Sequence, residues 1–323
     1  MTAYGLYTHI RANEIRSRVL VGILFALVLV LAFGAALVVR AMGGNLPAGS
    51  PPALSIYLAA AAGDLIWLGP IAFAGAFLWL FVAYHAHQRL IDGVTGARAV
   101  TRAEAPELYG LLENLCIARG LTVPRLNVVE DQALNAYATG LNPNQYAITV
   151  TTGLTQALNP REMEAVLAHE LTHIRNDDVR TMMIAILIAG VFSFAGEMLM
   201  RGNLTSGRGR DRGGALPALL IGVALVVIAW GASRLIRFSL SRTREYVADA
   251  GAVELTKDPD AMIGALLKIS GRGELARAPS GVMEMCVDNP RSGIGDLFAT
   301  HPSIDDRIAA LTRYAGGSPP ERR

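Results

Sequence analysis

Asn159-Pro-Arg-Glu-Met-Glu-Ala-Val-Leu-Ala-His-Glu-Leu-Thr-His-Ile-Arg-Asn-Asp-Asp178 decides how the rest of this chain is read. Asn159 is placed to cap a helix. Pro160 suits the first helical position, where its missing N–H costs nothing, and Glu162 completes a capping box. His169-Glu170-x-x-His173 therefore falls well inside a helix. The four-residue spacing puts both imidazoles on one face, one turn apart. There they can hold one zinc ion while Glu170 stands beside it as general base. The competing reading is a polar helix face that carries two histidines by accident, and with only six His in 323 residues such an accident is rare.

A catalytic zinc held by two histidines needs a third protein ligand and an open position for water. Ser241-Arg-Thr-Arg-Glu-Tyr-Val-Ala-Asp-Ala250 offers carboxylates at Glu245 and Asp249, one turn apart on one helix face. Glu245 is the expected third ligand. Asp249 is suited to accept the free ring N–H of a ligand histidine, fixing its tautomer. Without the histidine pair, a solvated face with Arg242 or Arg244 as surface partners would be the better reading. His301-Pro302 directly precedes Ser303-x-x-Asp306, a capping box for the last helix. From that rigid entrance His301 can reach the metal and donate to a developing oxyanion. Taken alone, it reads as a surface histidine.

Outside these segments the chain is apolar: 52% hydrophobic, 17% charged, with a mean hydropathy of +0.37. The net charge of +2 is small and scattered, which excludes a nucleic-acid partner and leaves the basic residues to orient membrane segments. Val19 to Val39 is long enough to cross a bilayer. A secretory signal peptide competes, but its apolar core would be shorter and would end in a cleavage site. Leu65 to Tyr84 is the second expected span, Thr181 to Met200 the third, and Leu216 to Leu235 the fourth. Asp64 is read as an interfacial carboxylate facing water. The loop 201–214 carries Arg201, Arg208, Arg210 and Arg212, at odds with a translocated position, so a re-entrant or surface-lying hairpin is the alternative to two full crossings. The Lys/Arg excess elsewhere favours crossing. Cys116 and Cys286 show no ligand or redox spacing and receive no function.

From His85 to Asp178 the pattern is that of a water-facing domain. Glu104 to Arg119 reads as a helix. Val123 to Glu130, Leu134 to Thr139 and Tyr146 to Thr152 read as strands of a small sheet. An exposed edge of such a sheet can pair with an extended peptide, and the plainer reading is a core sheet. Asp258-Pro259 opens a further helix up to about Gly271, and Ser303 caps the last one, to about Tyr314. The tail from Gly316 to Arg323 is expected to be disordered.

These residues resemble the HtpX-type membrane zinc proteases, gluzincins related to the CAAX prenyl proteases. The resemblance rests on Asn135-Ala-Tyr-Ala-Thr-Gly140, His169-Glu-Leu-Thr-His173 followed by Asn176, Arg244-Glu-Tyr-x-Ala-Asp249, and His301-Pro-x-x-x-x-Arg307, in the family's order. It implies a multi-pass protease of the bacterial cytoplasmic (inner) membrane that degrades damaged or misassembled membrane proteins under stress. It also implies that Asn135 contacts substrate main chain from the edge strand, that His301 stabilises the transition state, and that Arg307 lies near the site on the substrate side. The Arg- and Gly-rich loop departs from the common pattern.

The fold class that follows is a mainly α membrane protein with about four transmembrane helices and a cytoplasmic α+β zincin-like domain containing a small sheet. Residues 1–84 hold spans one and two; 85–180 the sheet and the histidine helix; 181–237 spans three and four; 238–315 the third ligand; 316–323 the tail. The expected function is a zinc endopeptidase with one Zn2+ per chain, both termini cytoplasmic, acting on membrane proteins or unfolded polypeptides at the bilayer, with oligomeric state left open. Glu170 would take the proton of the attacking water and return it to the leaving amine. An intramembrane-cleaving metalloprotease conflicts with the charges at Arg161, Glu162, Glu164, Arg175, Asp177 and Asp178 around the motif. A scaffold or chaperone with structural zinc has no use for Glu170.

Overall fold

The computed structural model describes residues 6–43, 53–201, 215–238, 243–289 and 301–318. In chain order the elements are α1 (Leu6–Ala41), α2 (Leu54–Thr95), β1 (Arg98–Ala99), α3 (Pro106–Arg119), β2 (Arg125–Val129), β3 (Ala136–Thr139) and β4 (Ala147–Thr151). There follow α4 (Thr152–Ala157), α5 (Pro160–Arg175), α6 (Asp178–Arg201), α7 (Ala215–Phe238), α8 (Thr243–Thr256), α9 (Pro259–Ile269), α10 (Ser280–Met283) and α11 (Ile304–Ala315). The fold is mostly helical with one small mixed sheet. It divides into two compact units: Met1–Arg16, Ala86–Met183 and Phe238–Arg323 in the first, Ser17–His85 and Ile184–Arg237 in the second.

The first unit is built on a four-stranded sheet in the order β1-β2-β4-β3. The central pair, β2 and β4, is parallel, with Asn127 opposite Thr149, and antiparallel strands flank it on both sides. β3 and β4 are buried along their whole length, as apolar runs between packed layers should be. The expected break at Gly140 is steric as well as conformational. Its φ is +125°, and a Cβ there would lie 2.8 Å from the Gln145 carbonyl oxygen. The last turns of α2 reach this sheet: Tyr137 donates from its hydroxyl to Thr95 Oγ1 (3.1 Å), and Thr139 donates to Gln88 Oε1 (2.8 Å). α2 thus runs on as one helix past the boundary read at 84, because nothing between Tyr84 and Thr95 breaks a helix.

Short elements escaped the sequence reading. β1 has two exposed residues, α4 six and α10 four, too few for a hydrophobic period to register. The tail read as disordered from Gly316 begins with placed residues. Gly316 closes α11 in the left-handed region at φ 73°, and Ser318 donates its N–H to Asp260 Oδ1 at 2.6 Å. Residues 319–323 lie outside the described ones.

Ile15–Ala41 and Leu54–Thr95, which supply the 17–85 part of the second unit, are long and apolar enough to cross a membrane, among the described residues. The outward side chains of α2 are large and apolar. Trp67 is 77% exposed, with Ile66, Ile71 and Phe77 close behind, the inverse of a water-facing helix. α6 and α7 are helices of 24 residues each over the stretches read as the third and fourth spans; of α7, Leu216–Ala229 is a shorter apolar stretch. The Gly/Arg loop falls at 202–214, outside the described residues. α1 and α7 meet at facing glycines: a Cβ on Gly222 would lie 2.8 Å from the Gly34 carbonyl oxygen, the close approach small residues allow between apolar helices. Asp64, read as facing water, is instead partnered, accepting from Arg40 Nη2 at 2.6 Å and Nε at 2.8 Å. The helix begins at Leu54, so Asp64 lies a few turns inside it, where a carboxylate needs a partner.

Candidate metal centre

The capping box that sequence places at the start of α5 is formed. Glu162 N–H donates to Asn159 Oδ1 (3.0 Å), and Asn159 N–H donates to Glu162 Oε2 (2.8 Å). Lys268 of α9 adds its ammonium to the same carboxylate at 2.6 Å. From there the helix is buried from Met163 to Ile174, with the exception of Glu164. Buried with it are His169, Glu170 and His173, at 1%, 1% and 9% exposure. Three polar side chains this deep require partners.

α8 supplies them because it packs very close to α5. A Cβ on Gly251 would lie 2.4 Å from Thr172 Cγ2, and the flanking Ala248 and Ala252 are fully buried. At that separation Glu245 enters the site. The three donors lie within 4.8 Å of one another: His169 Nε2 to His173 Nε2 is 3.2 Å, and Glu245 stands 3.7 Å from each. A tetrahedral zinc with bonds of about 2.0–2.1 Å spaces its ligands about 3.3–3.4 Å apart.

The far side of each imidazole is taken by a carboxylate. His169 Nδ1 is 3.0 Å from Asp249 Oδ1, and His173 Nδ1 is 3.0 Å from Asp178 Oδ2. These partners assign the ring protons to Nδ1 and leave the Nε2 lone pairs facing one another and Glu245. Both Glu245 oxygens are buried without a hydrogen bond among the described residues. Lone pairs and a bare carboxylate turned toward one point fit a cation there. The local field agrees. Burial pushes the His173 imidazolium down, but the Glu245 and Asp178 carboxylates outweigh it, so the centre favours positive charge. Burial also works against the Glu245 carboxylate, yet His301 and His173 hold it well below the usual range. Glu170 goes the other way: burial raises it, only partly offset by the two histidines, the direction a general base working near neutrality needs.

Arg307, expected on the substrate side, is 1% exposed. It is clamped on Asp249, with Nη2 to Oδ1 at 2.6 Å and Nε to Oδ2 at 2.8 Å. Its place is behind the second carboxylate, and its planar fork explains why: it satisfies both Asp249 oxygens at once. His301 is in the site, with Nδ1 3.3 Å from Glu245 Oε2 and Nε2 3.0 Å from the Glu284 carbonyl oxygen.

Asn135 departs from its expected role. It directly precedes β3, which is indeed an edge of the sheet, but the residue is fully buried. Its amide donates to the carbonyls of Gly273 (2.6 Å) and Asp288 (2.7 Å). The free side of β3 is itself paired. Cys286 bridges Tyr137 in antiparallel fashion, and Val287 N–H donates to the Ala136 carbonyl at 3.0 Å. Met285 of this segment helps close the cavity that Glu170, His173, Glu245 and His301 line, leaving about 10 Å3, roughly one water.

Sequence reasoning missed Asp178 and Arg244. Asp178 stands five residues past His173, with Asp177 between it and the helix end; at φ 59° the left-handed Asp177 turns the chain. No spacing rule marks such a residue. Arg244, which sequence offers as a surface partner only in the absence of the histidine pair, is 7% exposed. Only packing reveals that.

Residues 102–315 match the family model described as Peptidase family M48. A protease HtpX homolog of Bacteroides fragilis strain YCH46 is 39% identical over 257 residues, covering 76% of this chain and 80% of that one. Another, of Lactobacillus helveticus, is 36% identical over 256 residues, covering 76% and 86%. Among solved structures, that of S. mikatae Ste24p shares 19% identity at a TM-score of 0.48, and this chain spans 64% of it. With a matched segment that runs from before α3 to the last helix, and with His169, His173, Glu170 and Glu245 assembled inside it, the chain belongs to peptidase family M48 and is a membrane-associated metalloprotease.

Proposed function

We propose that this protein is a zinc endopeptidase of the bacterial cytoplasmic membrane that hydrolyses damaged or misassembled membrane proteins and unfolded polypeptides, in the manner of the HtpX proteases it is related to. The observation that carries the reading is the convergence of His169, His173 and Glu245 on one point with Glu170 in the same cavity. His169, His173 and Glu245 hold one zinc per chain. Bound there, zinc supplies Lewis acidity, which makes a water acidic enough to ionise near neutral pH and polarises a peptide carbonyl. Glu170 accepts the proton of the attacking water and delivers it to the amine as the C–N bond breaks. Its raised pKa suits both transfers. His301 donates to the oxygen that gains charge. Asp249, held by Arg307, fixes the His169 ring; Asn135 braces the chain beside β3.

Four crossings by 19–39, 65–84, 181–200 and 216–235, with the catalytic unit and both termini cytoplasmic, complete the proposal. On this plan 1–84 and 181–237 serve the membrane, 85–180 and 238–315 the catalysis, and the tail after 316 neither. The support is parity. His169 and Glu245 meet in one unit, so the chain between them returns to the side it left. The experiment is hydrolysis of an unfolded polypeptide such as casein by the purified full-length protein. Activity should depend on added zinc and vanish in Glu170→Gln with the metal retained. A Glu170→Gln variant as active as the parent would overturn the mechanism.

A further inference from the structure

Arg244 sits one residue before the glutamate of the metal cluster and lines the same cavity as Glu170, His173 and His301. Its guanidinium is buried. Nε lies 3.2 Å from Glu245 Oε1, but neither Nε nor Nη1 makes a hydrogen bond among the described residues. Its one hydrogen bond is long, Nη2 donating to the Glu284 carbonyl at 3.4 Å. A guanidinium has five N–H donors and never loses its charge. Burying one with most donors idle is unfavourable unless another partner arrives.

The acceptor it does touch identifies that partner. The Glu284 carbonyl also meets His301 Nε2, at 3.0 Å, so donors from two separate segments converge on one backbone oxygen. That oxygen belongs to the stretch that continues into Cys286 and Val287 along the free side of β3, the position an extended peptide takes when it adds to a sheet edge. Cys286 and Val287 hold the free side of β3, and Glu284, in the turn that leads into them, places its carbonyl between the two donors.

We propose that Arg244 is a catalytic residue: when the scissile carbonyl of a peptide takes the place of the Glu284 carbonyl, Arg244 and His301 together hold its oxygen as it gains negative charge. This rests on the peptidase reading above. In the step, a water oxygen bonds to the carbonyl carbon, its proton passes to Glu170 and then to the nitrogen, and the C–N bond breaks. Arg244 moves no proton; it donates hydrogen bonds that strengthen as charge develops. A second role for the residue, neutralising Glu245 to keep the metal cluster together, gives a different experimental signature.

The test uses full-length protein in detergent with Arg244→Gln, Arg244→Lys, the parent and Glu170→Gln. Zinc affinity is measured by chelator competition, kcat and KM on a fluorogenic peptide, and binding of a phosphinic peptide that mimics the tetrahedral state. The expected result for Arg244→Gln is unchanged zinc affinity, an unchanged KM, and kcat lower by about 10²–10³-fold. Phosphinic-peptide affinity should fall by the same factor. Arg244→Lys should recover part of kcat, since one ammonium cannot reproduce the planar fork, and it carries the test if the neutral variant does not fold. A loss of zinc affinity that accounts for the loss of rate, or kcat equal to the parent's, would overturn the proposal. A parent with no hydrolysis at all would instead sink the peptidase reading, and that outcome is distinguishable because the phosphinic-peptide comparison does not need turnover.

Discussion

Asp178 Oδ2 lies 3.0 Å from Nδ1 of His173, matching the 3.0 Å between Asp249 and Nδ1 of His169. Each ligand histidine is thus oriented by its own buried carboxylate, one from α8 and one from the first residue of α6. We predict that Asp178→Asn lowers zinc affinity by about 10–100-fold. Asparagine keeps the size and an acceptor for the start of α6, so the fold should survive. Chelator competition measures it, and an affinity equal to the parent's would reduce Asp178 to a helix-start residue.

The approach of α8 to α5 depends on a hydrogen atom at Gly251. A methyl group there would lie 2.4 Å from Thr172 Cγ2 and 2.7 Å from Thr172 Oγ1. Gly251→Ala should therefore destabilise the catalytic unit by about 1–3 kcal/mol, the usual range for overpacking. It should also reduce zinc occupancy, because Glu245 rides on the displaced helix. Adding Thr172→Ala removes both clashing atoms and should recover most of the loss. If Gly251→Ala alone binds zinc like the parent, the helices are not held at contact by this pair.

Arg307 and Asp249 form a fully buried, two-point ion pair. The guanidinium keeps the buried carboxylate charged. Burial alone would push Asp249 up, yet Arg307 and His169 hold it below the usual carboxylate range. Arg307→Ala strands a buried carboxylate and should cost about 3–5 kcal/mol. Arg307→Lys should restore only part of this, since an ammonium cannot bond both oxygens in the same plane. Thermal unfolding of the zinc-loaded variants reads the difference; equal midpoints for Lys and Arg would show that charge alone matters.

Membrane topology yields a labelling prediction. If the third and fourth segments cross as a pair, a cysteine at Ser206 faces outward and one at Ser318, which is exposed on the catalytic unit, faces the cytoplasm. An impermeant thiol reagent on intact cells should label the first and spare the second. Protection of both would mean that the pair lies within or on the membrane, and labelling of Ser318→Cys would invert the orientation.

What the sequence revealed was governed by local spacing. The capping box at Asn159 and Glu162, the one-turn interval of His169 and His173, and that of Glu245 and Asp249 are all properties of single helices, and all reappear in the structure. Relations between remote segments are legible where the chemistry of a metal demands them, as for Glu245 and Asp249, and not where packing alone sets them. The resemblance implies a place for Arg307 near the site on the substrate side, and only the fold shows it gripping Asp249. Asn135 was assigned to an open edge, and the chain closes that edge with Cys286 and Val287. Arg244 has no role in the sequence reading beyond its place in a motif, whereas the close packing of α8 on α5 buries it.

The split of the metal cluster between α5 and α8 also has a consequence in time. His169, Glu170 and His173 leave the ribosome first; Glu245 follows only after the residues of α6 and α7 have been made. At about 5–20 residues per second the nascent chain spends several seconds with the base and two histidines but without the third ligand. The order of synthesis thus acts as a safety catch. Until Glu245 has been made, the growing chain lacks the third donor of the cluster, and any cleavage that needs all three has to wait for it.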